Sequence, residues 1–144
     1  MSSLPPCARL DGDGLTMVLD LRAGAAEPVY FGPTLPMAED LASLCDVLRR
    51  GRHASQPDRP APRSLLPFAG EGHLCAPSIV IQQHGRPLTP RMPLVAITQR
   101  DAGLCLEHRD DALSLSVQIE LAIVHGGLVE FGTQLRNQGT QPIG

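Results

Sequence analysis

The sequence predicts an all-β domain, an antiparallel sandwich with one short helix, and three observations carry that prediction. Leu113, Leu115, Val117, Ile119, Leu121 and Ile123 alternate with Ser114, Ser116, Gln118, Glu120 and Ala122. A period of two places the apolar side chains on one face of an extended strand and the polar ones on the other. Short apolar runs separated by turn residues recur along most of the chain, as in strands joined by tight connections. Helical spacing is confined to one segment, Pro36 to Arg50.

Taken in order, Arg9-Leu10 leads into Asp11-Gly12-Asp13-Gly14, whose Asp-Gly steps are hairpin-turn chemistry. A calcium loop would need a glutamate at a fixed downstream offset, which is absent. Leu15 to Leu21 follows as a strand, with Leu15, Met17, Leu19 and Leu21 on one face. Ala23 to Glu27 is a linker, and Pro28 to Pro33 reads as an edge strand bracketed by prolines. In the segment from Pro36 to Arg50, Met37, Leu41, Leu44 and Leu48 form a stripe expected to lie on the sandwich. Glu39 and Asp40 fall in its first turn, Arg49 and Arg50 in its last, and Gly51 where a C-terminal cap would stand.

Arg52 to Arg63, with Pro57, Pro60 and Pro62, is a loop. Strands are expected at Ser78–Gln83, Leu94–Thr98 and Leu104–Glu107, with turns at His84–Pro87 and Arg100–Gly103. The long strand beginning at Leu113 turns at His125-Gly126-Gly127 and returns as Leu128–Leu135. Asn137 to Gln141 looks like one more turn, and Pro142-Ile143-Gly144 stops where a further strand should start. The expectation is therefore a single domain, residues 1–144, cut from a longer protein.

Composition narrows the chemistry. The chain has a formal charge of −3 and no lysine, so no basic stripe invites nucleic acid and no Schiff-base or phosphate-loop lysine exists. Cys7, Cys45, Cys75 and Cys105 are scattered without a Cys-x-x-Cys pair, which points to four free thiols and no metal or cofactor. No basic start with an apolar core opens the chain, and no apolar run approaches the roughly 20 residues of a membrane span. A soluble, cytoplasmic protein is the expectation. Of His53, His73, His84, His108 and His125, no two stand at a helical i, i+4 spacing and four neighbour turn residues or charges, so they read as surface histidines. Ser64 lacks the Gly-x-Ser-x-Gly context of a nucleophile.

Four segments, in this order, carry a resemblance. They are Val29-Tyr30-Phe31-Gly32; Ser64-Leu65-Leu66-Pro67 followed by Gly70, Gly72 and Ala76-Pro77; Asp111-Ala112-Leu113-Ser114-Leu115; and Arg136-Asn137-Gln138-Gly139. With them the chain, from Leu15 to Gly144, resembles the N-terminal β-sandwich domain of the family 36 glycoside hydrolases, the bacterial α-galactosidases. Phe31 stands where that family has tryptophan, and this sequence contains none.

The resemblance implies an antiparallel β-supersandwich with one short helix, without catalytic residues of its own. In the family a separate (β/α)₈ barrel of the same polypeptide performs retaining hydrolysis of an α-galactoside with two aspartates about 5 Å apart. No residue here matches either aspartate. The implied role is accessory: packing on the barrel, joining a homo-oligomer, and sending a loop towards the substrate entrance. Asp46, Arg49 and Arg52, on the helix and its exit, are the polar residues placed to meet a sugar hydroxyl or a neighbouring subunit.

The residues speak against two rival readings. A mutarotase-like epimerase would need His and Glu to converge, yet Glu107 and His108 are adjacent on a strand and point to opposite faces. A stand-alone carbohydrate-binding module would need exposed aromatics. Only Tyr30, Phe31, Phe68 and Phe131 exist, and a core is expected to claim most of them.

Overall fold

The structure is a computed structural model, which describes residues 4–49, 63–69, 76–101 and 103–144. Among these the chain forms three antiparallel sheets and one helix. Strands β1 (Cys7–Gly12), β2 (Leu15–Asp20) and β3 (Glu27–Pro33) make a sheet in that order. Strands β4 (Ile81–Gln83) and β5 (Arg86–Leu88) pair as a short ribbon. Strands β6 (Leu94–Arg100), β7 (Gly103–Asp110), β8 (Leu115–Val124) and β9 (Leu128–Asn137) form the larger sheet, again in sequence order.

Turn chemistry explains the hairpins. Asp13 and Gly14 both have positive φ (48° and 73°), as do His84 and Gly85 (51° and 73°). That pairing of angles gives the two-residue turn whose twist matches the flanking strands. The turn residues Gly126 and Gly127 are likewise left-handed, and Asp13 reaches across to them: its Oδ2 accepts from their amides at 2.7 and 2.9 Å. The first hairpin of one sheet is thereby latched to the last hairpin of the other.

The core lies between the sheets. Leu10, Met17 and Leu19 from the smaller sheet meet Leu104, Leu106, Leu115, Val117, Ile119 and Leu121 from the larger. The alternating face predicted for β8 is therefore the buried one, although the strand begins at Leu115. Leu113 and Ser114 belong to the preceding turn, where Asp110 Oδ1 accepts from the Leu113 amide at 3.0 Å. Phe68, Leu66, Ile81 and Met92 close the core from the connecting segments, and Ala25 and Ala26, expected as linker, are buried too.

The outer face of the smaller sheet is also covered, so β2 is buried on both faces: Thr16, Val18 and Asp20 lie as deep as Met17 and Leu19. Helix α1 (Leu41–Leu48) and the segment leading to it make this third layer. The helix is shorter than the predicted span from Pro36 to Arg50. Arg9 captures the carbonyls of Leu35 and Pro36 at 2.5 and 2.8 Å, so these oxygens are tied to β1. Asp40, expected inside the first turn, is the N-cap, accepting from the amides of Ala42 and Ser43 at 3.0 and 3.2 Å. Arg49 is extended and ends the helix; Gly51 lies outside the described residues.

The leucine stripe is not what the helix buries. Cys45 is wholly buried, Leu41 and Leu44 are half-buried, and Met37 and Leu48 are exposed. Two strand ends also differ from expectation. Ser78–Val80 precede β4 without pairing, and β9 runs on through Asn137, opposite Leu115, where a turn was expected.

Candidate functional site

Asp46 and Arg49 lie beside the smaller sheet, on the helix that packs against β1 and β3; Arg52 lies outside the described residues. What joins them is a pair that sequence reasoning missed, Asp20 and Arg22. Arg22 donates from Nε to Asp20 Oδ1 at 2.9 Å and from one terminal nitrogen to Asp20 Oδ2 at 2.7 Å. Its other terminal nitrogen donates to Asp46 Oδ1 at 2.6 Å, and its backbone amide caps Asp20 at 3.0 Å. Arg49 stands 4.0 Å from Asp20 Oδ2. Two arginines thus face two carboxylates, running from a buried end to a wet one. The Asp20 side chain is 4% exposed and Asp46 63%.

The signal for this pair was available. Asp20 and Arg22 are opposite charges two residues apart at a strand end, a spacing that puts both on one side of the chain. Arg9 with Asp11 and Arg109 with Glu107 repeat it, each at 2.7 Å.

Electrostatically the network is closed. The Arg22 guanidinium holds the Asp20 carboxyl below the usual carboxylate range, outweighing the cost of burial. Asp20, and after it Asp46, raise Arg22 still further above its ordinary value. An ionised carboxylate already held by a bidentate arginine has no proton to give a leaving group. The arrangement clamps a helix to a sheet and presents Asp46 and Arg49 to solvent as hydrogen-bonding groups.

The remaining polar candidates fall elsewhere. His108, expected at the surface, is buried on β7: its Nδ1 lies 2.8 Å from the Met92 carbonyl oxygen, which can only accept. Its ring meets Phe68 with centroids 5.6 Å apart at 55°. His84 and His125 are exposed, and His53 and His73 lie outside the described residues. Glu107 is half-buried beside buried His108, on the opposite face as strand geometry requires. Cys7, Cys45 and Cys105 are free thiols, and Cys75 is outside the described residues. On the outer face of the larger sheet, Arg100, Gly103, Glu120 and Glu130 help line a shallow, open depression of about 260 Å³. The Arg100–Glu120 pair within it, at 3.5 Å, is solvated on both sides.

The aromatics also depart from expectation. Only Phe68 is fully buried, whereas Phe31 is 49% and Phe131 42% exposed. Phe31 sits opposite Met17 and Phe131 opposite Leu121, so both stand on core-facing sides, at the outer strands of their sheets. Tyr30 folds over Gly32, where an added Cβ would lie 3.0 Å from the phenol oxygen, and its hydroxyl donates to the Pro33 carbonyl at 2.8 Å. The Tyr30-Phe31-Gly32 step is therefore a packing device in which glycine makes room for the ring.

An all-β antiparallel sandwich with a helix clamped on its smaller sheet is the class that this fold defines. The same fold occurs in a crystal structure of the GH36 α-galactosidase AgaA from Geobacillus stearothermophilus, in complex with 1-deoxygalactonojirimycin. The two agree with a TM-score of 0.69 at 15% sequence identity, over 95% of this chain and 23% of that one. The likeness is one of fold, and this chain spans less than a quarter of that protein's length. No protein-family model matches the chain, and no curated protein sequence matches it. No described helix is long and apolar enough to cross a membrane.

Proposed function

We propose that this chain is the N-terminal, non-catalytic β-sandwich domain of a family 36-type retaining glycoside hydrolase. Its role there is to pack on a (β/α)₈ barrel of the same polypeptide that cleaves α-galactosides. The observation that carries the reading is the fold match across 95% of the chain to less than a quarter of an α-galactosidase. The shape of the larger sheet supports it. Val129, Phe131, Thr133 and Leu135 continue the core face of β8 onto β9, yet Phe131 and Leu135 stand exposed. An apolar strip continuous with a core is what a further layer of protein would cover. Gly144 and Gln82 exchange backbone hydrogen bonds at 2.7 and 3.0 Å, which ties this part of the chain to β4.

In this reading Asp46 and Arg49 lie on the flank that faces the substrate entrance or a second subunit of a homo-oligomer. Arg52 belongs with them by sequence. The reading frame beyond the Gly144 codon tests the proposal: it should encode a barrel with two aspartates at strand ends. The isolated chain should neither hydrolyse p-nitrophenyl α-galactoside nor bind galactose more tightly than millimolar. A frame that closes at Gly144 would overturn the assignment.

The exposure of Phe31 and Phe131 favours one rival, a stand-alone carbohydrate-binding module, since exposed rings are what sugars stack on. Calorimetry separates the two readings. Binding of an α-galactoside at micromolar strength, abolished by Phe131→Ala, would establish the module.

A further inference from the structure

We propose that Cys7 and Cys45 are a reversible redox pair, which a small-molecule disulfide oxidises to a bond tying α1 to β1. The pair is 38 residues apart in sequence, yet the two sulfurs lie 3.1 Å from each other. A disulfide needs about 2.0 Å, so closure requires a relative movement of about 1 Å. The elements are already held in place for it. Cys7 sits opposite Asp20 in the β1–β2 register, Cys45 precedes Asp46, and Arg22 joins Asp20 to Asp46. The Cys7 sulfur also lies 3.6 Å from the Leu41 carbonyl in the first turn of the helix.

The two thiols differ in a way that orders the chemistry. Cys45 is wholly buried and Cys7 only partly, so Cys7 is the sulfur an oxidant reaches. Burial first, and then the hydrogen bond with Cys7, push the Cys45 thiol up to about 12, which keeps it protonated. In the first step the Cys7 thiolate attacks oxidised glutathione, forms a mixed disulfide and expels one glutathione thiolate. In the second, the Cys45 sulfur attacks the Cys7 sulfur and the second glutathione leaves, taking up the proton that Cys45 gives up. Two protein thiols are oxidised and one glutathione disulfide is reduced to two thiols. Cys105 cannot substitute: its sulfur meets the Gln118 amide nitrogen at 2.9 Å and Arg100 at 3.8 Å, on the larger sheet.

The test is to incubate the folded 144-residue chain with oxidised glutathione, alkylate the remaining thiols and map the peptides by mass spectrometry. The expected result is one cross-linked peptide pair containing Cys7 and Cys45, with Cys105 alkylated. Closing a loop of this length should raise the melting temperature by about 10 °C, reversed by dithiothreitol. Cys105→Ala should behave as the parent, and Cys7→Ser should leave Cys45 unmodified in the folded chain. Glutathione persisting on Cys7 without the cross-link, or a cross-link through Cys75 or Cys105, would overturn the proposal.

Discussion

Replacing Arg22 by methionine keeps the apolar stem and removes the charge at the centre of the Asp20–Asp46 network. Asp20, 4% exposed, then loses its bidentate partner and keeps the backbone amide of residue 22 and the single charge of Arg49, 4.0 Å away. Stranding a fully buried carboxylate costs about 3–5 kcal/mol. Arg22 is 26% exposed and Asp46 mostly so, and solvent screening reduces what their contacts contribute. The expected loss at pH 7 is therefore about 2 kcal/mol, read from urea unfolding.

The pH dependence carries the sharper test. Because Arg22 depresses the Asp20 pKa in the folded state, the stabilisation is present above the unfolded value of about 3.9. It is lost as pH falls through the folded value. Below about pH 4 the Asp20 carboxyl protonates, first in the variant and then in the parent, and the difference between the two proteins should shrink towards zero. A penalty independent of pH, or one below about 0.5 kcal/mol at pH 7, would refute the claim that a buried carboxylate holds this flank together.

Phe68→Ala should cost about 4 kcal/mol, because the ring is fully buried against His108 from a segment without regular structure; thermal unfolding by circular dichroism reads this out. Gly103→Ala should cost about 3 kcal/mol, since a Cβ there would run into the backbone carbonyl of Leu121, which cannot swing away. A urea midpoint at the parent value would show that β7 shifts freely. The exposed strip on β9 should make the isolated chain self-associate at high concentration, and a Phe131→Gln, Leu135→Gln double variant should remain monomeric in sedimentation velocity.

The larger sheet was legible because strict alternation leaves one solution: only an extended strand gathers Leu115 to Ile123 onto one face. The Asp-Gly turn was legible for an equally local reason. Harder to see was anything decided by a distant partner. The helix start depended on Arg9 capturing two carbonyls 26 and 27 residues further on. His108 reads as polar in sequence, but β7 carries it under Phe68, and the Met92 carbonyl satisfies its Nδ1. Asp46 and Arg49 were legible as polar helix residues. Their anchor at Asp20 depended on β2 being covered on both faces, which no pattern within β2 announces.

The Asp13 latch sets a timetable for synthesis. The amides that donate to it follow 113 and 114 residues later, so the clasp between the two hairpins forms only after nearly the whole chain has been translated. At about 10 residues per second the nascent β1–β3 sheet waits about 10 s with Leu10, Met17 and Leu19 facing water. A ribosome-bound intermediate truncated before β8 should therefore be a chaperone client, and should lose that character once β9 has cleared the exit tunnel.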